Sequence, residues 1–278
     1  MLGHLSEGLG PVLAPLRSVR SPILLTLGAG VGALLVRQHR ESQRSARLAA
    51  AALETLLNAI DANDAVTGAH VRRVAAYSMA LARAADLEEA TVRSIERVAL
   101  FHDIGKIHEA LFDIVHDDGG DVTPEERRLI VSHPQRGAEV LYPLSFFYPD
   151  LSDGVLSHHE RWDGSGYPRG LVAEDIPIQA RVVAIADSFD AITHRRRYRR
   201  AQSFDEAEAV IAEGSGTQFD PVLVSVFLSP EVLARVHRIA TQSWRKQAPP
   251  DDERRHLGGA KVPDVKFRWR AGPLAPPT

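Results

Sequence analysis

Leu100-Phe-His-Asp-Ile-Gly-Lys106 decides the reading of this chain, because it sets His102 beside Asp103 at the end of the apolar run Val98-Ala-Leu-Phe101. The same arrangement recurs downstream. Leu129-Ile-Val131 precedes His133, Val155-Leu156 precedes the pair His158-His159, and Val182-Val-Ala-Ile-Ala186 precedes Asp187, while His70 lies upstream. Buried helices ending this way would deliver polar side chains to one point, where unpaired polar groups are costly and metal ligation removes the cost. Neutral imidazole nitrogen and carboxylate oxygen together suit iron, manganese or zinc, and one aspartate can bridge two ions through its two oxygens. Two ions imply hydrolytic chemistry. The chain has 12 histidines, and His4, His39, His237 and His256 read as ordinary surface or core residues.

The 278 residues, 44% of them hydrophobic, suffice for one substantial domain with extra segments at its ends. There is no cysteine, which excludes disulfides and thiolate metal sites. A net charge of −3 gives no overall basic bias toward nucleic acid, so no DNA partner is expected and anion binding must come from local clusters. The body alternates helical segments with polar loops and shows almost no apolar-polar alternation, which predicts an all-α fold. His158-His-Glu-Arg-Trp-Asp-Gly-Ser-Gly-Tyr-Pro-Arg-Gly170 is too rich in glycine for a regular helix. It reads as a shaped loop beside a ligand pair, able to bring backbone N–H groups and the Tyr167 ring to a ligand or to tuck its aromatics into the core. Arg195-Arg-Arg-Tyr-Arg-Arg200 suits a polyanionic substrate, although a solvated or membrane-facing patch has the same composition.

The N-terminal segment, residues 1–44, carries an uncharged stretch from Pro22 to Val36 bracketed by Arg20 and Arg37. It is short for a span, which needs about 20 residues, but flanking arginines can snorkel. Arg37, Arg40, Arg44 and Arg47 follow it, so the positive-inside rule places the rest of the chain in the cytoplasm. The expectation is a single-pass anchor in the inner membrane; the alternatives are a cytoplasmic protein, a cleaved export signal, or a helix used in dimer contact. Leu53, Leu56, Leu57 and Ile60 form an apolar helix face leading into the body. Residues 241–278 turn proline-rich and are expected to be disordered.

Six ordered segments carry a family resemblance: Thr67-Gly-Ala-His70-Val-Arg-Arg-Val; His102-Asp-Ile-Gly-Lys106; His133 with Gly137-Ala-Glu-Val-Leu; His158-His-Glu-Arg-Trp-Asp-Gly-Ser-Gly-Tyr-Pro168; Ala186-Asp-Ser-Phe-Asp-Ala-Ile-Thr193; and Gly216-Thr-Gln-Phe-Asp-Pro221. From about Leu53 to Phe227 the chain resembles the HD-GYP family of cyclic dinucleotide phosphodiesterases, a subgroup of the HD phosphohydrolases. The resemblance implies an all-α, HD-type helical bundle over residues 45–240 with a glycine-rich loop, preceded here by the N-terminal hydrophobic helix. It implies two divalent metal ions, iron or manganese. One would take His70, His102, Asp103 and Asp187, and the other Asp103, His133, His158 and His159. Asp103 as the bridge and Lys106, one helical turn after His102, would serve catalysis. Gly164, Gly166, Tyr167, Arg196 and Arg199 would contact substrate. The implied activity is hydrolysis of cyclic di-GMP to pGpG and onward to GMP in bacterial second-messenger signalling. The other readings are a weakly catalytic nucleotide receptor or docking module, and a phosphohydrolase for another cyclic dinucleotide or phosphoester. A homodimer or a signalling-protein partner would fit the family.

Three departures matter. Members with a third metal have Glu four residues before the first histidine, where this chain has Val66, so a third ion is not expected. Ile107-His-Glu-Ala-Leu111 replaces the family's Ile-Gly-Ile-Pro-Asp continuation, which would reshape the pocket mouth. Arg197 replaces the usual Pro before Tyr198, adding charge and removing rigidity.

Overall fold

A computed structural model describes residues 22–63, 65–107, 123–194 and 202–242, the side chains of 22–29 and 61–66 excepted. Among the described residues the regular structure is helical, with two isolated bridges, Asp163 to Val172 and Ser215 to Phe219, in place of any strand. In chain order the α-helices are α1 (Pro22–Asn63), α2 (Ala65–Ala84), α3 (Glu89–Phe101), α4 (Pro124–Val131), α5 (His133–Leu141), α6 (Pro149–Leu156), α7 (Ile178–Thr193), α8 (Phe204–Glu213), α9 (Pro221–Phe227) and α10 (Pro230–Ala240).

Local sequence sets the helix starts. Thr123 and Ser203 each open a helix with a reciprocal capping box, to Glu126 and Glu206. Asp220 caps α9 by accepting from the N–H groups of Val222 and Leu223. Proline stands in the first turn of α4, α5, α6, α9 and α10, where its missing N–H costs nothing.

The chain divides after Arg47 into two units. The described part of the first is the opening half of α1, tied along its surface by Arg37 to Glu41 at 2.8 Å and by a His39–Gln43 hydrogen bond. The second has one apolar core, to which the later part of α1 contributes Leu53, Leu57 and Ile60. Helices α2, α3 and α7 pack against one another at its centre, around Tyr77, Phe101 and Phe189, with Phe227 of α9 among the largest fully buried side chains. Helix α5 lies against α6 and against the 3₁₀ turn Ile104–Ile107 that follows α3.

The expected membrane anchor over 22–36 is corrected. No helix among the described residues is long and apolar enough to cross a membrane. Helix α1 is continuous through this stretch, but its uncharged run stops at Val36, and Arg37, Arg40, Glu41, Arg44 and Arg47 follow on the same helix. A span needs about 20 apolar residues, so the single-pass, inner-membrane placement is withdrawn. Residues 241–242 close α10, whereas 243–278 lie outside the described residues.

Candidate metal centre

Three helix ends build most of the site. The last carbonyls of an α-helix have no partner within the helix. Those of Ala99 in α3, Ile130 in α4 and Val155 in α6 accept from Nδ1 of His102, His133 and His158 at 2.8, 2.6 and 2.6 Å. A carbonyl can only accept, so each ring carries its proton on Nδ1 and turns the Nε2 lone pair inward. The pattern of an apolar run followed by histidine therefore has a structural basis. Asp187 departs from it, following its apolar segment but lying inside α7 instead of at a helix end.

Asp103 occupies the middle. Its Oδ2 lies 3.5 Å from His102 Nε2 and 3.9 Å from His70 Nε2, while Oδ1 lies 3.3 Å from His133 Nε2 and 3.9 Å from His158 Nε2. The two oxygens thus face two groups of imidazoles. Asp187 Oδ1 joins the first group, 3.3 Å from His70 Nε2 and 3.9 Å from His102 Nε2. Two sets of potential ligand atoms, each within 4.8 Å, result: His70, His102 and Asp103, and His133, His158 and His159.

Burial shows what these atoms want. His70 Nε2, His102 Nε2 and Asp103 Oδ1 are buried without a hydrogen-bond partner, a loss of about 1–3 kcal/mol each if nothing else engages them. Divalent cations fit this nitrogen and oxygen donor set. Burial lowers the His102 ring's pKa; burial and then the neighbouring imidazoles put His158 well below the ordinary range and His159 at about 4. These rings are neutral, as ligands must be. At Asp103 burial would favour the acid, but Lys106, His102 and His133 hold the carboxyl well below its ordinary range. His70 differs: burial is outweighed by the carboxylates of Asp187 and Asp190, which raise it to about 9.

The expected helical turn after His102 tightens, because α3 ends at Phe101 and Lys106 sits in the 3₁₀ turn. An i to i+3 spacing then aligns Lys106 with Asp103, and Nζ reaches Oδ2 at 2.7 Å. Gly105 permits this. A Cβ there would sit 2.1 Å from the His133 carbonyl oxygen and 2.7 Å from the Gly137 nitrogen, so only glycine lets the turn touch α5.

The segment after His158 is the irregular loop its composition predicts. Buried Glu160 accepts the N–H groups of Arg169 and Leu171 at 2.7 and 3.1 Å, closing the loop on itself. Trp162 and Asp163 donate backbone N–H to the carbonyls of Gln218 and Thr217 at 3.3 and 2.9 Å. Gly164 has φ +79°, and a Cβ on Gly166 would lie 2.3 Å from the Arg161 nitrogen. These glycines shape the loop. Tyr167 stacks on His159, ring centres 4.9 Å apart, with its phenol held up at about 12 by burial and then by Asp103 and Asp187. Between loop and α7 lies a cavity of about 190 Å³ walled by His158, His159, Tyr167, Asp187, Arg161 and Gln218, among others.

The structure thus brings together His70, His102, Asp103, Lys106, His133, His158, His159, Tyr167 and Asp187. Arg196 and Arg199 lie outside the described residues. His237 is a packing residue, stacked on Phe204 with ring centres 4.2 Å apart and bonded to Glu208 at 2.7 Å. Sequence reading gave no role to Asp190, which is bonded to His70, Arg73 and His194. Its only signal is a position three residues after Asp187, which places both on one side of α7.

Comparison with known proteins identifies the family. A family model described as an HD domain matches residues 54–223. A cyclic di-GMP phosphodiesterase of Vibrio cholerae is 33% identical over 250 residues, spanning 83% of this chain and 50% of that protein. The cyclic di-GMP phosphodiesterase response regulator RpfG of Xanthomonas campestris pv. campestris is 40% identical over 199 residues, 71% of this chain and 52% of that protein. A 3'3'-cGAMP-specific phosphodiesterase 2 of Vibrio cholerae is 35% identical over 174 residues, 62% of this chain and 33% of that protein. The chain spans about half the length of the first two of these relatives and a third of the last. Since the matched family model takes in the whole ligand cluster and the Gly166-Tyr-Pro168 loop beside it, this chain belongs to the HD-domain family and, within it, to the HD-GYP subgroup.

Proposed function

We propose that this chain is a metal-dependent phosphodiesterase that opens cyclic di-GMP to pGpG and then GMP. One observation carries the reading: Asp103 turns one oxygen toward His70 and His102 and the other toward His133 and His158, all within 3.9 Å. His70, His102, Asp103 and Asp187 would hold one ion, and Asp103, His133, His158 and His159 a second, iron or manganese. When bound, such a pair supplies Lewis-acid charge to a phosphoryl oxygen and lowers the pKa of water.

The chain's own residues do the rest. Nδ1-anchored rings hold their donors in place before substrate arrives, so little reorganisation accompanies reaction. Lys106, beside Asp103, places a positive charge where negative charge grows on the phosphoryl group. Tyr167 remains a neutral hydroxyl donor at the cavity wall. Gly164 and Gly166 act by giving the loop its shape, and Arg196 and Arg199 would contact the phosphates, as the family resemblance implies. Residues 45–240 form the catalytic domain.

The names of the relatives support cyclic di-GMP first and a mixed cyclic dinucleotide second. The purified chain, loaded anaerobically with iron or manganese, should convert cyclic di-GMP to pGpG and GMP, and lose that conversion on chelation. Faster turnover of 3'3'-cGAMP would reassign the substrate. Tight nucleotide binding with no product in either metal form would favour a receptor and overturn the enzyme reading.

A further inference from the structure

We infer that Asp190 is a positioning residue for one half of the metal centre, fixing His70 as a ligand through Nε2; this rests on the dinuclear reading proposed above. The histidines are anchored in two different ways. His102, His133 and His158 take their orientation from free carbonyls at helix ends. His70 cannot, because it stands inside α2, where main-chain carbonyls are already engaged by the helix. Its Nδ1 instead meets Asp190 Oδ2 at 2.7 Å, across 120 residues of sequence.

Asp190 is itself fixed. Arg73 donates Nε to Oδ1 at 2.6 Å and a terminal nitrogen to Oδ2 at 2.9 Å, a two-point clamp, and His194 Nδ1 lies 3.1 Å from Oδ1. The side chain is 2% exposed. An ionised carboxylate only accepts, so Nδ1 of His70 carries the proton and Nε2, buried and otherwise unpartnered, points at Asp103 and Asp187. A carboxylate behind an imidazole ligand fixes its tautomer and strengthens it as a donor, and loss of such a group typically lowers metal affinity about 10–100-fold. Among the described residues Asp190 is bonded to His70, Arg73 and His194 and not to His133, His158 or His159, so the effect should fall on one site.

Manganese titration of the full chain tests this. Wild type should take up two ions per chain and show the electron paramagnetic resonance of a coupled pair. Asp190→Asn should bind one ion as tightly as wild type and the other about 10–100-fold more weakly, with an uncoupled signal at intermediate manganese. Arg73→Met removes one of the groups that fix Asp190 but leaves the carboxylate on His70; it should lower the melting temperature and weaken the same ion by less than Asp190→Asn does. Equal weakening of both sites in Asp190→Asn, or the same metal loss in the two variants, would make Asp190 a structural tie and overturn the inference. Unaltered binding of both ions in Asp190→Asn would overturn it alone, whereas a wild-type chain that binds no manganese would overturn the dinuclear reading as well. Should Asp190→Asn not fold, wild type loaded with zinc and labelled with ¹⁵N-histidine decides. A His70 ring protonated at Nδ1 and ligated through Nε2 supports the inference, and ligation through Nδ1 refutes it.

Discussion

At the scale of single residues, Asp103 and Lys106 are joined by one 2.7 Å contact yet should fail differently when replaced. Asp103→Ala removes the carboxylate that, among the described residues, lies against both imidazole groups, so elemental analysis should find both ions and activity lost. Lys106→Ala leaves every proposed ligand in place and should retain both ions while kcat falls by about 10²–10³, the roughly 2.7–4 kcal/mol associated with one preorganised donor. Equal metal loss in the two variants would merge their roles. The metal-free chain should also carry a signature in pH. His70 is raised from 6.5 to about 9, so its stabilising charge is fully present below pH 6.5 and is lost as pH rises through 9. His159 is lowered to about 4, so its contribution is present above pH 6.5 and is lost as pH falls toward 4. Melting of the chelated protein should therefore peak near pH 6.5, and His70→Gln should flatten the alkaline side. A histidine after an apolar run is legible in sequence because free carbonyls at a helix end give it a place to anchor. Asp190 was not legible, since its partners His70 and Arg73 lie more than a hundred residues away.

At the scale of elements, close backbone approach decides where the proposed ligands stand. The Ile104–Ile107 turn meets α5 at Gly105, where a Cβ would fall 2.1 Å from a backbone oxygen that no rotamer change can move. Gly105→Ala should push the turn from α5, separating Asp103 from His133, and cost about 1–3 kcal/mol as an overpacked contact. Thermal unfolding should report the cost, and metal analysis a weakened site. Gly166→Ala sets a Cβ against the backbone of Glu160 and Arg161 inside the loop, away from the helical core. It should therefore reduce turnover more than stability, with KM for cyclic di-GMP rising while the melting temperature changes little. Glycine and proline density announces a loop here, but not its closure by Glu160, because carboxylate bonds to the N–H groups of residues nine and eleven positions on have no local signature.

At the scale of the whole molecule, helical periodicity marked the all-α class, whereas the uncharged run at 22–36 suggested a membrane span that hydropathy over a full helix does not support. The difference lies in length: charge returns at Arg37, and α1 continues as a polar helix. Its later part does different work. Leu53, Leu57 and Ile60 are at most 4% exposed and belong to the same core as α2, α3 and α7. Each buries an aliphatic side chain, about 1.5–3 kcal/mol of transfer free energy on folding. Removing residues 1–47 should leave that core intact, so a chain starting at Leu48 should unfold cooperatively within a few degrees of the full chain and keep its metal content. Removing residues 1–63 strips the three side chains together from that core. Since a domain's net stability is only about 5–15 kcal/mol, that loss should leave the remainder unfolded or aggregated at 25 °C. Circular dichroism and metal analysis of the two truncations make the comparison. A shorter chain that melts and binds metal like the longer one would show that α1 takes no part in holding the centre together.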